Sequence, residues 1–461
     1  MTAPLIIRNV EIARRPGLSV RLEGGRIAEI GSMVSGGGET MDGRGGALIP
    51  GLTDHHIHLF ALAAQANSVV LNGVANAVQL AERVRAGLVN RPPGAWLRVT
   101  GYHEAMAGEL TRLELDALAP LHPIRVQHQT GALWMLNSLA LERLGDHEAL
   151  ERDGEGRLTG RLWRGDLWLQ SRLGHEPPDL AAIGRRLAAF GITGVTDASV
   201  TTDASAADRL AAAVRNGDLP LRLTLMSGGA LEAPPDGAFA VGPLKILLDD
   251  HNLPDFDEMR ARIADGRTWG RAIAVHCVTA GELALTLAAF DAAGAMPGDR
   301  IEHGGVIDES AIPMIRKLSL TVVTQSAFIR ERGDRYLRDV APREAPDLYR
   351  CASLLAAGVS VAGSSDAPYA SPDPWLGMAA AIDRRTLGGT VLGEDERVTP
   401  EAALALYLSP SNRPGQGARV LRVCDPADLC LLATSLSAVL ASPSSDMVRA
   451  TLLGGALTYQ A

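Results

Sequence analysis

Three histidines fall within four positions of the apolar run GLTDHHIHLF, residues 51–60. Imidazole is a good ligand for a divalent cation and an expensive guest in an apolar strand, so the cluster calls for a reason. Residues two apart on a strand share a face, which sends His56 and His58 one way and His55 the other. Two imidazoles about 7 Å apart along one face can reach a single Zn2+ at roughly 2.0–2.1 Å per bond. By itself such a pairing is more often a satisfied, hydrogen-bonded structural pair. Four distant places shift the balance: His276 closes AIAVHC, His303 closes RIEH, Asp366 closes VAGSSD, and Lys245 lies in LKILL. Several strands that each bring a metal-competent group to one rim are hard to explain as packing.

Lys245 needs its own argument, because of 44 basic residues only two, Lys245 and Lys317, are lysines. An ammonium beside a dication is repelled and desolvated, which lowers its pKa. The neutral amine can then take up CO2 as a carbamate, an anion able to bridge two metal ions. The competing reading is a lysine that snorkels to the barrel mouth or pairs with Asp249 or Asp250. Residue types alone fit one ion or two.

These groups must be carried by regular elements. Short apolar strands alternate with helical patterns: ALIPGLTDHHIH, ITGVTDASV, LRLTLM, LKILL, RAIAVHC, RIEH, LTVVTQ and VSVAGSSD are the strand candidates. Eight such repeats predict an α/β fold, a (β/α)8 TIM barrel, over 51–60 and 186–399. Residues 61–185 break the rhythm and carry helices and strands of their own (AVQLAERVRAGLV, LELDAL, MLNSLALERLG; AWLRVTGY, IRVQHQ). They read as a large subdomain inserted after the first barrel strand, on the face where a lid or pocket wall belongs. Residues 1–50 and 400–461 are glycine-turned short strands, each too few for a core, and are expected to form one small β-sandwich from both termini.

The sequence resembles the metal-dependent amidohydrolase superfamily of the urease and dihydroorotase type. The resemblance rests on DHHIH, Lys245, His276, His303 and Asp366 in that order and on the closing DPADLCLL. GYHE, LDALAP, NSLAL, GRLTGRL, VTQSAF and SSDAPYASPDPW point to the branch that includes N-substituted formamide deformylases. The resemblance implies that His56, His58 and Asp366 hold one ion and His276 and His303 a second. Carboxylated Lys245 would bridge the two, about 3.5–4 Å apart, with a shared hydroxide. It also implies that Asp366 takes the proton of the attacking water and passes it to the leaving nitrogen.

Aminohydrolases of this kind commonly carry a glutamate just after the strand-five histidine. Here Thr279 stands in that place and Glu282 a turn later, which favours hydrolysis of an N-formyl, N-acyl or cyclic amide over deamination at a mononuclear site. A non-catalytic metal-containing binding protein is the third reading, disfavoured because structural zinc sites are normally closed by four ligands from compact motifs. For substrate contacts the candidates are Tyr102, His103, His128 and Trp134 in the insert, with Arg330, Arg332 and Tyr336 in what reads as a loop after strand seven. The net charge of −9 lacks a basic stripe, so a small-molecule substrate is expected, with neither nucleic acid nor membrane as partner. Fold analogy adds a homo-oligomer. Four scattered cysteines and a start without a long apolar core lead to the expectation of a cytoplasmic enzyme.

Overall fold

The computed structural model describes residues 4–66, 68–71, 73–173 and 178–461. Its contacts divide the chain into two compact units, one running to Leu59 and resuming over Leu180–Ala461, the other Phe60–Asp179.

The first unit holds a (β/α)8 barrel. Its eight strands, in chain order, are Leu52–Ile57, Ile192–Asp197, Arg222–Ser227, Ala240–Ile246, Ile273–Cys277, Arg300–His303, Thr321–Thr324 and Ser360–Gly363. Each pairs in parallel with the next. They are the eight apolar runs picked out in the sequence, and most of their residues are buried, the first half of Ala240–Ile246 excepted, as expected for a parallel sheet covered on both faces. The seam between the last and first strands is closed past the end of the eighth strand. There Asp366 N donates to His56 O at 2.8 Å and His58 N donates to Ala367 O at 2.9 Å.

Two four-stranded sheets complete this unit. One joins Leu5–Ile12, Arg15–Glu23, Arg26–Gly31 and Glu39–Asp42; the other joins Leu48–Pro50, Leu429–Leu432, Val448–Leu453 and Ala456–Gln460. Strands from both ends of the chain share one apolar core, with Ile7, Val20 and Ile27 meeting Leu429, Leu431 and Leu452. Burial of that core ties the two termini together; neither set of strands has a second apolar layer of its own.

Residues 327–339, expected as a loop, form the helix Ala327–Asp339. Its abundant charge hides an apolar stripe in which Phe328, Ile329, Gly333 and Tyr336 are buried. Tyr336 meets the Tyr349 hydroxyl at 3.2 Å and Arg332 lies over the Phe328 ring, so both are used within the packing.

The second unit is built on a six-stranded sheet in which Leu97–Tyr102 and Ile124–His128 are parallel neighbours. Leu80, Val84, Leu97, Val99, Leu115 and Val126 fill the core under one face. The strands Leu133–Leu136, Leu150–Arg152 and Leu158–Trp163 were not foreseen; they are short and their sequence alternates poorly.

Gly305 shows how closely the site loops pack. Its amide donates to Cys277 O at 3.1 Å, and a Cβ placed on it would lie 2.5 Å from Val278 O. Gly305→Ala should therefore lower stability by about 1–3 kcal/mol through backbone displacement. Thermal melting of the metal-free protein measures this; an unchanged Tm would mean that the two loops are not held at this spacing.

Candidate active site

The C-terminal rim of the barrel gathers the six residues singled out by type and spacing. His56 lies in the first strand and His58 directly after it, Lys245 and His276 are penultimate in the fourth and fifth strands, and His303 ends the sixth. Asp366 follows the eighth strand by three residues. Ring centres of His56 and His58 are 5.3 Å apart, His56 and His303 4.8 Å, and His276 and His303 4.5 Å. Asp366 Oδ1 lies 3.1 Å from His58 Nε2 and 3.5 Å from His56 Nε2, and its Oδ2 is 3.9 Å from His303 Nδ1. These approaches are near enough for charge to matter but are not aligned as hydrogen bonds, and Oδ1 has no hydrogen-bond partner among the described residues.

Three of the imidazoles are gripped from behind through Nδ1. His56 Nδ1 meets the Glu302 carboxylate, His58 Nδ1 lies 3.0 Å from Ser199 Oγ, and His303 Nδ1 lies 2.9 Å from Gln325 Oε1. A carboxylate or an amide oxygen can only accept, so His56 and His303 carry the proton on Nδ1 and keep Nε2 as a lone pair. The gripping residues are held in turn. Glu302 accepts from Arg300 Nε, Gln325 Nε2 donates to Ser364 Oγ at 2.9 Å, and the Ser199 amide donates to Asp197 at 3.0 Å. Arg300 Nη2 donates to His55 O at 3.0 Å, which ties this chain of contacts back to the first strand. His55 itself faces away, with Nε2 3.0 Å from Ser409 Oγ.

Asp54 fixes the carboxylate side. It accepts from Ser365 N at 3.0 Å, from Ser365 Oγ at 2.5 Å and from His56 N at 3.2 Å, locking the residue before Asp366 onto the first strand. Asp366 and His303 both occupy the left-handed backbone region, with φ of 55° and 69°. For residues other than glycine this costs on the order of 1–3 kcal/mol and persists only where surrounding contacts impose it.

Burial dominates the electrostatics. It pushes His56 down to about 3, with the Lys245 charge adding to the effect, and it lowers His276 and His303 as well. Lys245 is also lowered, by burial first. Its Nζ has neither a hydrogen bond nor an ion pair among the described residues, so the alternative of a lysine paired with Asp249 or Asp250 is not what the structure holds. Burial works against ionisation of Asp366, but the His58 contact and the neighbouring His56 and His303 outweigh it and hold the carboxyl below its usual range. Neutral imidazoles, an ionised carboxylate and an unpartnered amine form a donor set that a divalent cation fits. His56, His58 and Asp366 each offer an atom within 4.8 Å of the others.

Glu302, Ser199, Gln325 and Asp54 were not anticipated. Only Glu302 and Asp54 had a signal, as acids inside the otherwise apolar RIEH and GLTDHHIH. Thr279 and Glu282 form a capping box at the start of the helix Ala280–Ala293, and the Glu282 carboxylate accepts from Val278 N at 2.6 Å and Thr279 N at 3.0 Å. Among the described residues no hydrogen bond or ion pair joins the Arg330 side chain to the rim cluster.

The candidates in the insert have local roles in their own unit. Tyr102 is in the core and donates to Gly108 O, while Trp134 Nε1 donates to Asp166 at 2.8 Å. His128 Nδ1 meets Thr130 Oγ1 at 2.8 Å and its Nε2 lies 3.1 Å from Glu104. His103, Glu104 and His128 are grouped closely enough to hold an ion. Their contacts, including Ala105 N donating to His103 Nδ1, already form a polar network.

The sequence profile of the amidohydrolase family matches residues 39–459. N-substituted formamide deformylase of Arthrobacter pascens is 25% identical over 481 aligned positions, covering 89% of this chain and 88% of that protein. An uncharacterised metal-dependent hydrolase of Pyrococcus horikoshii OT3 shares the fold with a TM-score of 0.73 at 20% identity, covering 93% and 97% of the two chains. N-isopropylammelide isopropylaminohydrolase of Burkholderia multivorans ATCC 17616 has a TM-score of 0.56 at 18% identity, with 99% and 98% covered. No helix among the described residues is long and apolar enough to cross a membrane.

His55 supplies a test of the buried core beneath the rim. Burial, reinforced by Arg300 and Arg419, pushes its pKa down to about 3 from an ordinary value of 6.5. The unfolded chain therefore binds a proton that the folded chain refuses, and stability present above pH 6.5 is lost as pH falls toward 3, by roughly 1.4 kcal/mol per pH unit at most. Melting of the metal-free protein should show Tm falling across this window, with a shallower slope in His55→Gln. Equal slopes would show that His55 does not titrate between the two states.

Proposed function

The chain belongs to the amidohydrolase family, whose members hydrolyse carbon–nitrogen bonds other than peptide bonds, and on that premise we propose that it cleaves an N-formyl, N-acyl or cyclic amide with Asp366 as proton carrier. Family membership implies a divalent metal ion. His56, His58, His276, His303 and Asp366 would hold it, zinc being the natural choice for an imidazole-rich set. Two ions bridged by carboxylated Lys245 is the favoured arrangement. Bound there, the metal supplies Lewis acidity toward a carbonyl oxygen and acidifies water.

The observation that carries the reading is the position of Asp366. Its Oδ1 faces two imidazole Nε2 atoms without a hydrogen bond. From there it can accept the proton of an attacking water and return it to the departing nitrogen, which must be protonated for the C–N bond to break. Glu302, Ser199 and Gln325 act as positioning residues by fixing which ring nitrogen each histidine turns toward the centre. The lowered pKa and burial of Lys245 favour the free amine, whose reaction with CO2 gives a carbamate and releases one proton.

Two readings of the reaction compete, and Glu282 favours one. Ring deamination of the related kind needs a free acid beside the strand-five histidine, whereas the Glu282 carboxylate is committed to two backbone amides of its helix cap. Amide hydrolysis asks nothing of that position. The 25% identical formamide deformylase points the same way.

A panel of N-formyl, N-acyl and cyclic amides run beside aminopurines and pterins should give carboxylate release; ammonia from the purines alone would move the assignment to deamination. Asp366→Asn should lower kcat by at least about 100-fold, as expected for loss of a general base, and an unchanged rate would remove the proton-carrier role. Lys245→Met should abolish activity yet raise the Tm of the metal-free protein, because it removes a buried polar amine that has no hydrogen-bond partner among the described residues. Elemental analysis of wild-type protein purified without chelators should give about two metals per chain for the bridged arrangement; a reproducible value of one would exclude the bridge.

A further inference from the structure

The insert presents a second feature that packing alone does not explain. Its parallel strands Leu97–Tyr102 and Ile124–His128 place Arg98 directly opposite Arg125. Leu97, Val99, Ile124 and Val126 take the alternate positions and fill the core. Arg98, Thr100, Arg125 and Gln127 therefore share the other face, and the next strand sets Trp134 opposite Gln127. The two guanidinium carbons lie 5.5 and 5.6 Å from the centre of the Trp134 ring. Like charges at neighbouring positions of adjacent strands repel, so each guanidinium needs compensation of its own.

The described residues do not supply it to Arg125. Its side chain makes neither a hydrogen bond nor an ion pair among them, and its Nε is buried without a partner. Thr100 Oγ1, on the same face, is also buried and unpartnered. Arg98 is engaged, donating to Gln127 Oε1 at 3.1 Å and to Ser68 Oγ at 3.4 Å. Asp166 accepts the indole N–H and lies near enough to Arg98 to feel its charge, so of the two arginines it is Arg125 that is left without an acid. Among the described residues, Arg271 and Arg384 are also buried without a salt bridge, but backbone carbonyls take up their N–H groups; Arg125 Nε has no acceptor among them. Stacking on an indole satisfies the guanidinium face only. Its N–H groups point outward in the plane of the fork, where an acceptor with two oxygens would meet them.

We propose that Arg98 and Arg125, backed by Trp134 and Thr100, form a binding site for a small oxyanion, the carboxylate or phosphate group of a small molecule. The planar fork suits bidentate contact with either group. Burial, with Arg98 adding to it, pushes Arg125 down only to about 10, so the side chain stays charged at neutral pH. Binding removes the repulsion between the two arginines and supplies Arg125 Nε and Thr100 Oγ1 with partners. The site is independent of the chemistry assigned to the barrel.

The test is calorimetric titration of the full chain, at constant ionic strength, with benzoate, inorganic phosphate and uncharged benzamide as control. Wild type should bind one or both anions and not benzamide, and the stronger of the two identifies the group. Arg125→Gln and Arg98→Gln should each weaken binding about tenfold or more, the size expected for loss of a charged hydrogen-bond donor. Arg125→Lys, which keeps the charge but not the fork, should fall between and guards against a folding defect in the Gln variant, with Tm measured for each. Trp134→Phe should abolish the anion-induced change in tryptophan fluorescence. Failure of both anions to bind wild type overturns the proposal, as does undiminished binding by folded Arg98→Gln and Arg125→Gln proteins.

Discussion

The Glu302 carboxylate, clamped inside the barrel between Arg300 and His56, is the contact from which the rest of the rim is organised. A buried carboxylate is tolerable only when its charge is matched, and a buried ion pair left with one member destabilises by about 3–5 kcal/mol. Glu302 is matched on one side by a guanidinium and on the other by an imidazole N–H. That double demand fixes the His56 tautomer, brings Arg300 against the His55 carbonyl, and so joins the first and sixth strands through side chains as well as through the barrel wall. His58 and His303 are oriented by neutral partners, Ser199 and Gln325, which set direction without adding charge. The site thus has one ionic anchor and two neutral ones. This keeps negative charge near the strand-one pair without filling the mouth with anions.

The same dryness sets the character of every titratable group. His56, His276, His303 and Lys245 are all driven toward their neutral forms, in which each side chain keeps a nitrogen lone pair to offer. Asp366, like Glu302 behind it, is held ionised by its neighbours. Two positions, His303 and Asp366, accept left-handed backbone to bring their side chains inward. The Gly304–Gly305 pair and the Asp54–Ser365 contacts hold those backbones in place. Backbone cost, desolvation and an unpartnered amine are concentrated in one small volume. Such concentration is the mark of a site shaped for chemistry rather than for stability.

Much of this could be read from the residues. All eight barrel strands were legible because each is a short apolar run next to a helical pattern, and parallel strands buried on both faces look like that whatever their register. The six rim residues were legible because histidine, lysine and aspartate stand out at the ends of such runs. The residues behind them were not. Ser199 and Gln325 are ordinary polar residues in ordinary places, and only three-dimensional proximity couples them to His58 and His303. The helix Ala327–Asp339 was misread because its charged residues mask a narrow stripe of Phe328, Ile329, Gly333 and Tyr336. In the insert, Leu133–Leu136 has four buried residues in a row and so lacks the alternation that would mark it as a strand.

The Asp54–Ser365 bonds join positions 311 residues apart, and the barrel seam closes beside them. In terms of assembly, the first strand can be flanked on only one side until the eighth strand, Ser360–Gly363, is present. Local strand–helix pairs can form early, since their contacts are close in sequence, but loop closure on this scale comes late. The rim that gathers His56, His58 and Asp366 is therefore completed by the same event that turns an open sheet into a barrel. A partly folded chain would carry the histidines without the carboxylate beside them. The long-range seam makes an intact site a report that folding has finished.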